Sequence, residues 1–194
     1  MLPEPIAVTL MVTEVLESMD VPYLIGGSLA SSMYGIVRAT MDADIVADLD
    51  SEHGYALAKV LASAFYLDVD AIQDAIQRRS SFNLIHLATM FRVDVFVPAH
   101  TAFSRTQFSR RVPRVLSTDP ERSAYFASPE DTVLAKLDWY RLGGQVSDRQ
   151  LRDVVGVLAV QADWLDMEYM RCWATNLGLA EMLEKVLDEA HHRD

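Results

Sequence analysis

Apolar residues recur every three or four positions through 6–19, where Val8, Val12, Val15, Leu16 and Met19 line one side of a helix. The next segment, 21–25, is a continuous apolar run short enough for a strand, closed by Gly26-Gly27. Small residues over 28–34 predict a helix that Gly35 stops. Residues 44–47 read as a second buried strand, and Ser51 is placed to cap a helix ending near 65. A strand pair follows at 82–88 and 91–97. In its second member Phe91, Val93, Val95 and Val97 alternate with Arg92, Asp94 and Phe96, so one face is apolar and the other carries the polar groups.

After an Arg-rich stretch the pattern turns helical. Ser128-Pro129-Glu130-Asp131 joins a cap, a proline at the first helical position and an acid at the capping-box position. That helix should end at Gly143-Gly144. Ser147-Asp148-Arg149-Gln150 starts another, backed by Leu151, Val154, Val155 and Leu158, and helices at 166–176 and 179–190 follow. The expected class is α+β: a small mixed sheet flanked by helices, with a helical C-terminal half. The expected division is an α/β core over 1–120 and a helical region over 121–194 packed on it.

Composition narrows the function classes. The 194 residues hold 17 Lys and Arg against 28 Asp and Glu, a net charge of −11 that argues against a nucleic-acid-coating protein. The lone Cys172 excludes a disulfide framework and a four-thiolate zinc site. The N-terminus lacks the basic and apolar regions of a signal peptide, and no apolar run is long enough to cross a bilayer. A cytoplasmic protein with no membrane partner is the expectation.

Chemistry concentrates in Tyr23-Leu24-Ile25-Gly26-Gly27-Ser28-Leu29-Ala30 and Arg38-Ala39-Thr40-Met41-Asp42-Ala43-Asp44. Glycines at a strand end let the backbone approach phosphate oxygens. Ser28 opens a helix whose N–H groups and positive dipole end attract a triphosphate. Asp42 and Asp44, two apart on extended chain, point to one face and offer hard oxygen ligands of the kind Mg²⁺ takes. Asp94, on the polar face of a neighbouring strand, supplies a third acid.

These elements together resemble the nucleotidyltransferase superfamily, the fold of the DNA polymerase beta palm. The run Ser128-Pro129-Glu130-Asp131…Lys136-Leu137-Asp138-Trp139-Tyr140-Arg141, with Ser147-Asp148-Arg149-Gln150-Leu151-Arg152-Asp153 after it, is similar to the small AbiEii/AbiGii toxin-type branch. The resemblance covers most of the chain from Tyr23 to Val160. It implies transfer of a nucleotide from an NTP to an acceptor hydroxyl, on RNA or protein, within a toxin–antitoxin pair that includes a cognate partner protein. It further implies that Asp42, Asp44 and Asp94 hold Mg²⁺ or Mn²⁺, with Asp94 serving the acceptor hydroxyl. Gly26, Gly27, Ser28, Arg38, Thr40 and Asp153 are then expected at the nucleotide, and Lys136 in catalysis. The alternative is a non-catalytic nucleotide-binding or regulatory subunit of such a pair.

Rival chemistries fit less well. A serine-hydrolase elbow at Gly26-Gly27-Ser28 would follow the first strand rather than several, and would leave the three aspartates without a role. No P-loop sequence is present. For Lys136 the competing expectation is a solvated helix position, and for Asp94 a surface carboxylate paired with Arg92. Arg105, Arg110, Arg111 and Arg114 lie in a stretch, Val95 to Thr118, without any acid. They form either a solvated loop or edge strand, or a basic rim for phosphates.

Overall fold

The structure is a computed structural model that describes residues 2–191. Its elements begin with α1 (Glu4–Ser18), β1 (Tyr23–Ile25), α2 (Gly27–Tyr34), β2 (Asp42–Ala47) and α3 (Ser51–Leu61). They continue with β3 (Phe65–Tyr66), α4 (Val69–Arg78), β4 (Ser81–His86), β5 (Arg92–Phe96), α5 (Ala102–Arg110), β6 (Val112–Thr118) and β7 (Glu121–Phe126). Then come α6 (Pro129–Leu142), α7 (Asp148–Gln161), a 3-10 turn (Ala162–Trp164), α8 (Met167–Leu177) and α9 (Ala180–His191). The class is α+β, as the periodicities predict. No helix among the described residues is long and apolar enough to cross a membrane.

The chain divides into two compact units, one of Met1–Gly26 with Thr40–Phe126, the other of Gly27–Ala39 with Ala127–Asp194. The expected division at 120 therefore differs at two places. Residues 121–126 form β7 and pair in the sheet, and α2 with the loop behind it groups with the C-terminal helices.

The first unit holds a seven-stranded mixed sheet in the order β3-β4-β5-β2-β1-β7-β6. β2 runs parallel to β5 and antiparallel to β1, while β4 and β5 form the predicted antiparallel pair. Strand alternation puts Ile25, Ile45, Val95 and Phe82 in register across four strands, each 3% exposed or less. This row is the centre of the unit's core. α1 packs on β2 and α4 on β4. The sequence reading contains no β3, α4, α5 or β7. α4 anchors through only Ile72, Ala75 and Ile76. α5 starts at a reciprocal Thr101–Ser104 capping box in a segment with few apolar residues. The Arg-rich stretch contributes the edge strand β6, paired with β7, in line with the edge-strand alternative.

The second unit is helical. α7 packs against α2, α6 and α9, and α6 against α2 and α8. Ser128 caps α6 as predicted, its Oγ accepting from the Asp131 N–H at 3.1 Å, and Ser147 caps α7. Gly35 permits a close crossing: a Cβ there would lie 2.8 Å from the Val157 nitrogen on α7. Any larger residue would force the loop after α2 away from that helix.

Candidate functional site

The acidic group lies on one face of the sheet in the first unit. Along β2, Ala43, Ile45 and Ala47 are buried, so Asp42 and Asp44 emerge together on the opposite face. The parallel register sets Asp44 opposite Asp94 and Asp42 opposite Arg92, and the antiparallel register sets Asn83 of β4 opposite Asp94. A polar row Asp44–Asp94–Asn83 thus crosses three strands. Asn83 donates its amide to Asp94 Oδ1. Arg92 bridges two acids, its Nη2 lying 3.2 Å from Asp42 Oδ2 and 3.0 Å from Asp94 Oδ2. The Thr40 hydroxyl donates to Asp42, and the Gly26 N–H donates to the Asp44 carbonyl at 2.9 Å, which ties the end of β1 to β2. Asp94 is buried, and burial pushes its carboxyl above the ordinary value; Asp42's charge adds to that, while Arg92 and Asn83 oppose it.

A second polar group lies within the helical unit. Gly27 takes φ of +54°, a left-handed geometry that glycine adopts without strain, and opens α2. Ser28 follows, 7% exposed. Arg38 grips Asp153 of α7 with both edges of its guanidinium, Nε to Oδ1 at 2.9 Å and Nη2 to Oδ2 at 2.8 Å. The same Nη2 donates to Ser28 Oγ at 2.5 Å. Lys136 of α6 reaches Asp153 Oδ2 at 2.8 Å, and Arg149 Nη2 lies 3.4 Å from Ser28 Oγ. Burial alone would raise the Asp153 pKa, but the hydrogen bonds and charges of Arg38 and Lys136 bring it down to about 2.

The sequence-predicted residues therefore fall into two sets. Gly26, Thr40, Asp42, Asp44 and Asp94 belong to the sheet unit; Gly27, Ser28, Arg38, Lys136 and Asp153 belong to the helical one. Lys136 is 6% exposed, which removes the expectation of a solvated position. The Asp94–Arg92 pair foreseen on one strand face is present, with Asp42 joined to it. Sequence reasoning missed Asn83, which follows from pairing β4 with β5, and Arg149, whose signal was its four-residue spacing from Asp153 on one helix face. Within the basic stretch Arg105 and Arg110 lie on α5, Arg114 lies on β6, and Arg111 holds its guanidinium 4.7 Å from the Tyr125 ring centre.

As a metal site, the donor set fits in kind: three carboxylates from adjacent strands face one way, and hard oxygens suit Mg²⁺ or Mn²⁺. In the geometry described, Arg92 supplies the counter-charge. Among the described residues no three His, Cys, Asp or Glu side chains are gathered as a bound metal gathers them.

No family model matches the chain, and no curated protein matches it in sequence. Solved structures do. An antigenic nucleotidyltransferase-like protein from Paracoccidioides brasiliensis aligns over 94% of this chain and 91% of its own, at 17% identity and a TM-score of 0.56. The lincosamide antibiotic adenylyltransferase LnuA with lincomycin bound aligns over 82% of this chain and 98% of its own, at 13% identity and a TM-score of 0.49. The first likeness shows a nucleotidyltransferase-like fold.

Proposed function

We propose that this protein is a metal-dependent nucleotidyltransferase that moves a nucleotide from an NTP to an acceptor hydroxyl. The observation that carries the reading is the shared sheet face of Asp42, Asp44 and Asp94 in a fold of nucleotidyltransferase type. Bound Mg²⁺ or Mn²⁺ would neutralise the triphosphate and make the acceptor hydroxyl easier to deprotonate. Asp42 and Asp44 would hold the metal with the nucleotide, and Asp94 would serve the acceptor side. Thr40 orients Asp42, and Asn83 orients Asp94. Gly26 fixes the strand end, and Gly27 lets the chain enter α2 with Ser28 at its start. Asp153 engages both Arg38 and Lys136 and fixes where their charged ends sit. The toxin-type branch, an RNA or protein acceptor, a cognate partner protein and a cytoplasmic setting with its NTP pool belong to the same proposal, and they rest on the run from Ser128 to Asp153.

A second reading, nucleotide binding without turnover, draws support from Arg92, which already engages two of the three acids. One experiment separates the two: nucleotide-binding titrations beside a turnover assay on labelled NTPs with RNA, protein and small-molecule acceptor pools. The transferase reading expects Asp42→Asn and Asp44→Asn to lose binding and turnover together. It expects Asp94→Asn to keep binding while the catalytic constant falls, as for a term expressed in the transition state. Wild-type binding with no transfer to any acceptor would favour the second reading.

A further inference from the structure

Arg149 occupies a position that local helix physics disfavours. It is the second residue of α7, in the first turn, where the helix dipole presents its positive end and a cation is destabilising. It is exposed, and among the described residues no carboxylate pairs with it. Its guanidinium instead approaches Ser28 Oγ, which already accepts from Arg38. Two like charges converge on one hydroxyl, and Lys136 adds a third cation through Asp153, the carboxylate to which Arg38 and Lys136 both bond. The Ser28 oxygen accepts twice, and among the described residues nothing accepts its proton. Two planar guanidinium groups that converge on one hydroxyl present several N–H donors at one place, the arrangement that suits an anion with several oxygens.

We infer that Arg149, with Ser28 and Arg38, forms a polyphosphate grip within the helical unit, and that Arg149 is a direct ligand of the polyphosphate oxygens. The inference rests on the proposed transferase reading and deepens it, by giving a polyphosphate-binding role to Arg149, which the sequence motifs include without assigning it one. A planar guanidinium fork matches phosphate oxygens in pairs, and Asp153 keeps Arg38 aimed at the same place. The grip needs no metal. Arg152, three residues along the same helix, is also exposed and without an ion pair among the described residues, yet it touches nothing in the cluster, so it serves as the matched control.

The test is calorimetric titration of inorganic pyrophosphate into the full chain with EDTA present, for wild type, Arg149→Gln and Arg152→Gln. Circular dichroism melts confirm that each variant folds. Wild type should bind, Arg149→Gln should bind about ten- to hundredfold more weakly, and Arg152→Gln should match wild type. No pyrophosphate binding by wild type, equal binding by Arg149→Gln, or equal weakening in both variants would each overturn the grip. An NTP turnover assay on wild type runs alongside and decides the enzymatic reading separately. Turnover with Arg149-independent pyrophosphate binding removes the grip and keeps the transferase; Arg149-dependent binding with no turnover does the reverse.

Discussion

Two aspartates, Asp94 in the sheet unit and Asp153 in the helical unit, are buried to a similar extent, with side chains 12% and 9% exposed. Their carboxyls shift in opposite directions: Asp94 is raised, and Asp153 falls to about 2. Burial penalises the charge in both. What differs is the company. Asp153 receives a bidentate guanidinium and an ammonium. Asp94 shares one half-exposed guanidinium with Asp42, whose own charge opposes it, and gains a neutral amide from Asn83. The helical unit thus holds an acid saturated with cations, a group built to keep Arg38 and Lys136 in place. In the sheet unit Asp42 and Asp94 divide one guanidinium between them, so added positive charge there would ease the ionisation of Asp94.

The largest expected effect comes from removing the saturated acid. Asp153→Asn takes from Lys136, almost fully buried, and from Arg38 the carboxylate that both engage, which should cost about 3 kcal/mol in a denaturant melt. Equal stability of this variant and wild type would mean that the contrast between the two acids is not energetic. Acidification gives the next effect. The folded-state pKa of Asp153 lies below its unfolded value, so its contribution is present above about pH 4 and is lost as pH falls through the folded pKa. Wild type should lose about 2 kcal/mol by this route between about pH 4 and 2, and Asp153→Asn should lack that loss.

Much of this contrast was legible in the sequence, and unevenly so. The apolar alternation in β5 placed Asp94 on the polar face, and the Asp42–Asp44 spacing placed two acids beside it. Both inferences use only the two-residue period of a strand. α6 and α7 were readable because Ser128 and Ser147 cap them. The cation network around Asp153 was not readable, since Arg38 and Asp153 are 115 positions apart and only tertiary packing joins them. α4, α5 and β7 escaped because their buried stripes are thin, and β6 was legible only as one of two alternatives, loop or edge strand. Arg114 and Arg110 interrupt any apolar period there, and α5 buries only Ser104.

A smaller effect probes the shortage of charge in the sheet unit. Arg92→Gln should cost the metal-free protein no more than about 1 kcal/mol of stability, because the guanidinium is half exposed and screened. Removing that cation leaves Asp42 and Asp94 to repel each other, so the variant should gain more than wild type from added Mg²⁺ with NTP. A melting shift equal to that of wild type across a magnesium titration would mean that Arg92 does not compete for the acids.

The smallest effect is also the most diagnostic, because its sign should reverse that of Asp153. The raised pKa of Asp94 means that the ionised group is held at a net cost, chiefly from burial. Its favourable contribution is present below the unfolded pKa and is lost as pH rises through the folded one. Asp94→Asn imitates the protonated form in nearly the same volume and keeps a partner for Asn83. Relative to wild type, this variant should therefore gain stability as pH goes from 4 to 7, while Asp153→Asn should show a deficit that is greatest at pH 7 and shrinks toward pH 2. Paired melts of the two variants at stepped pH read both trends. If Asp94→Asn loses ground to wild type on going to neutral pH, then Arg92 and Asn83 outweigh burial, and the sheet unit is as well supplied with positive charge as the helical one.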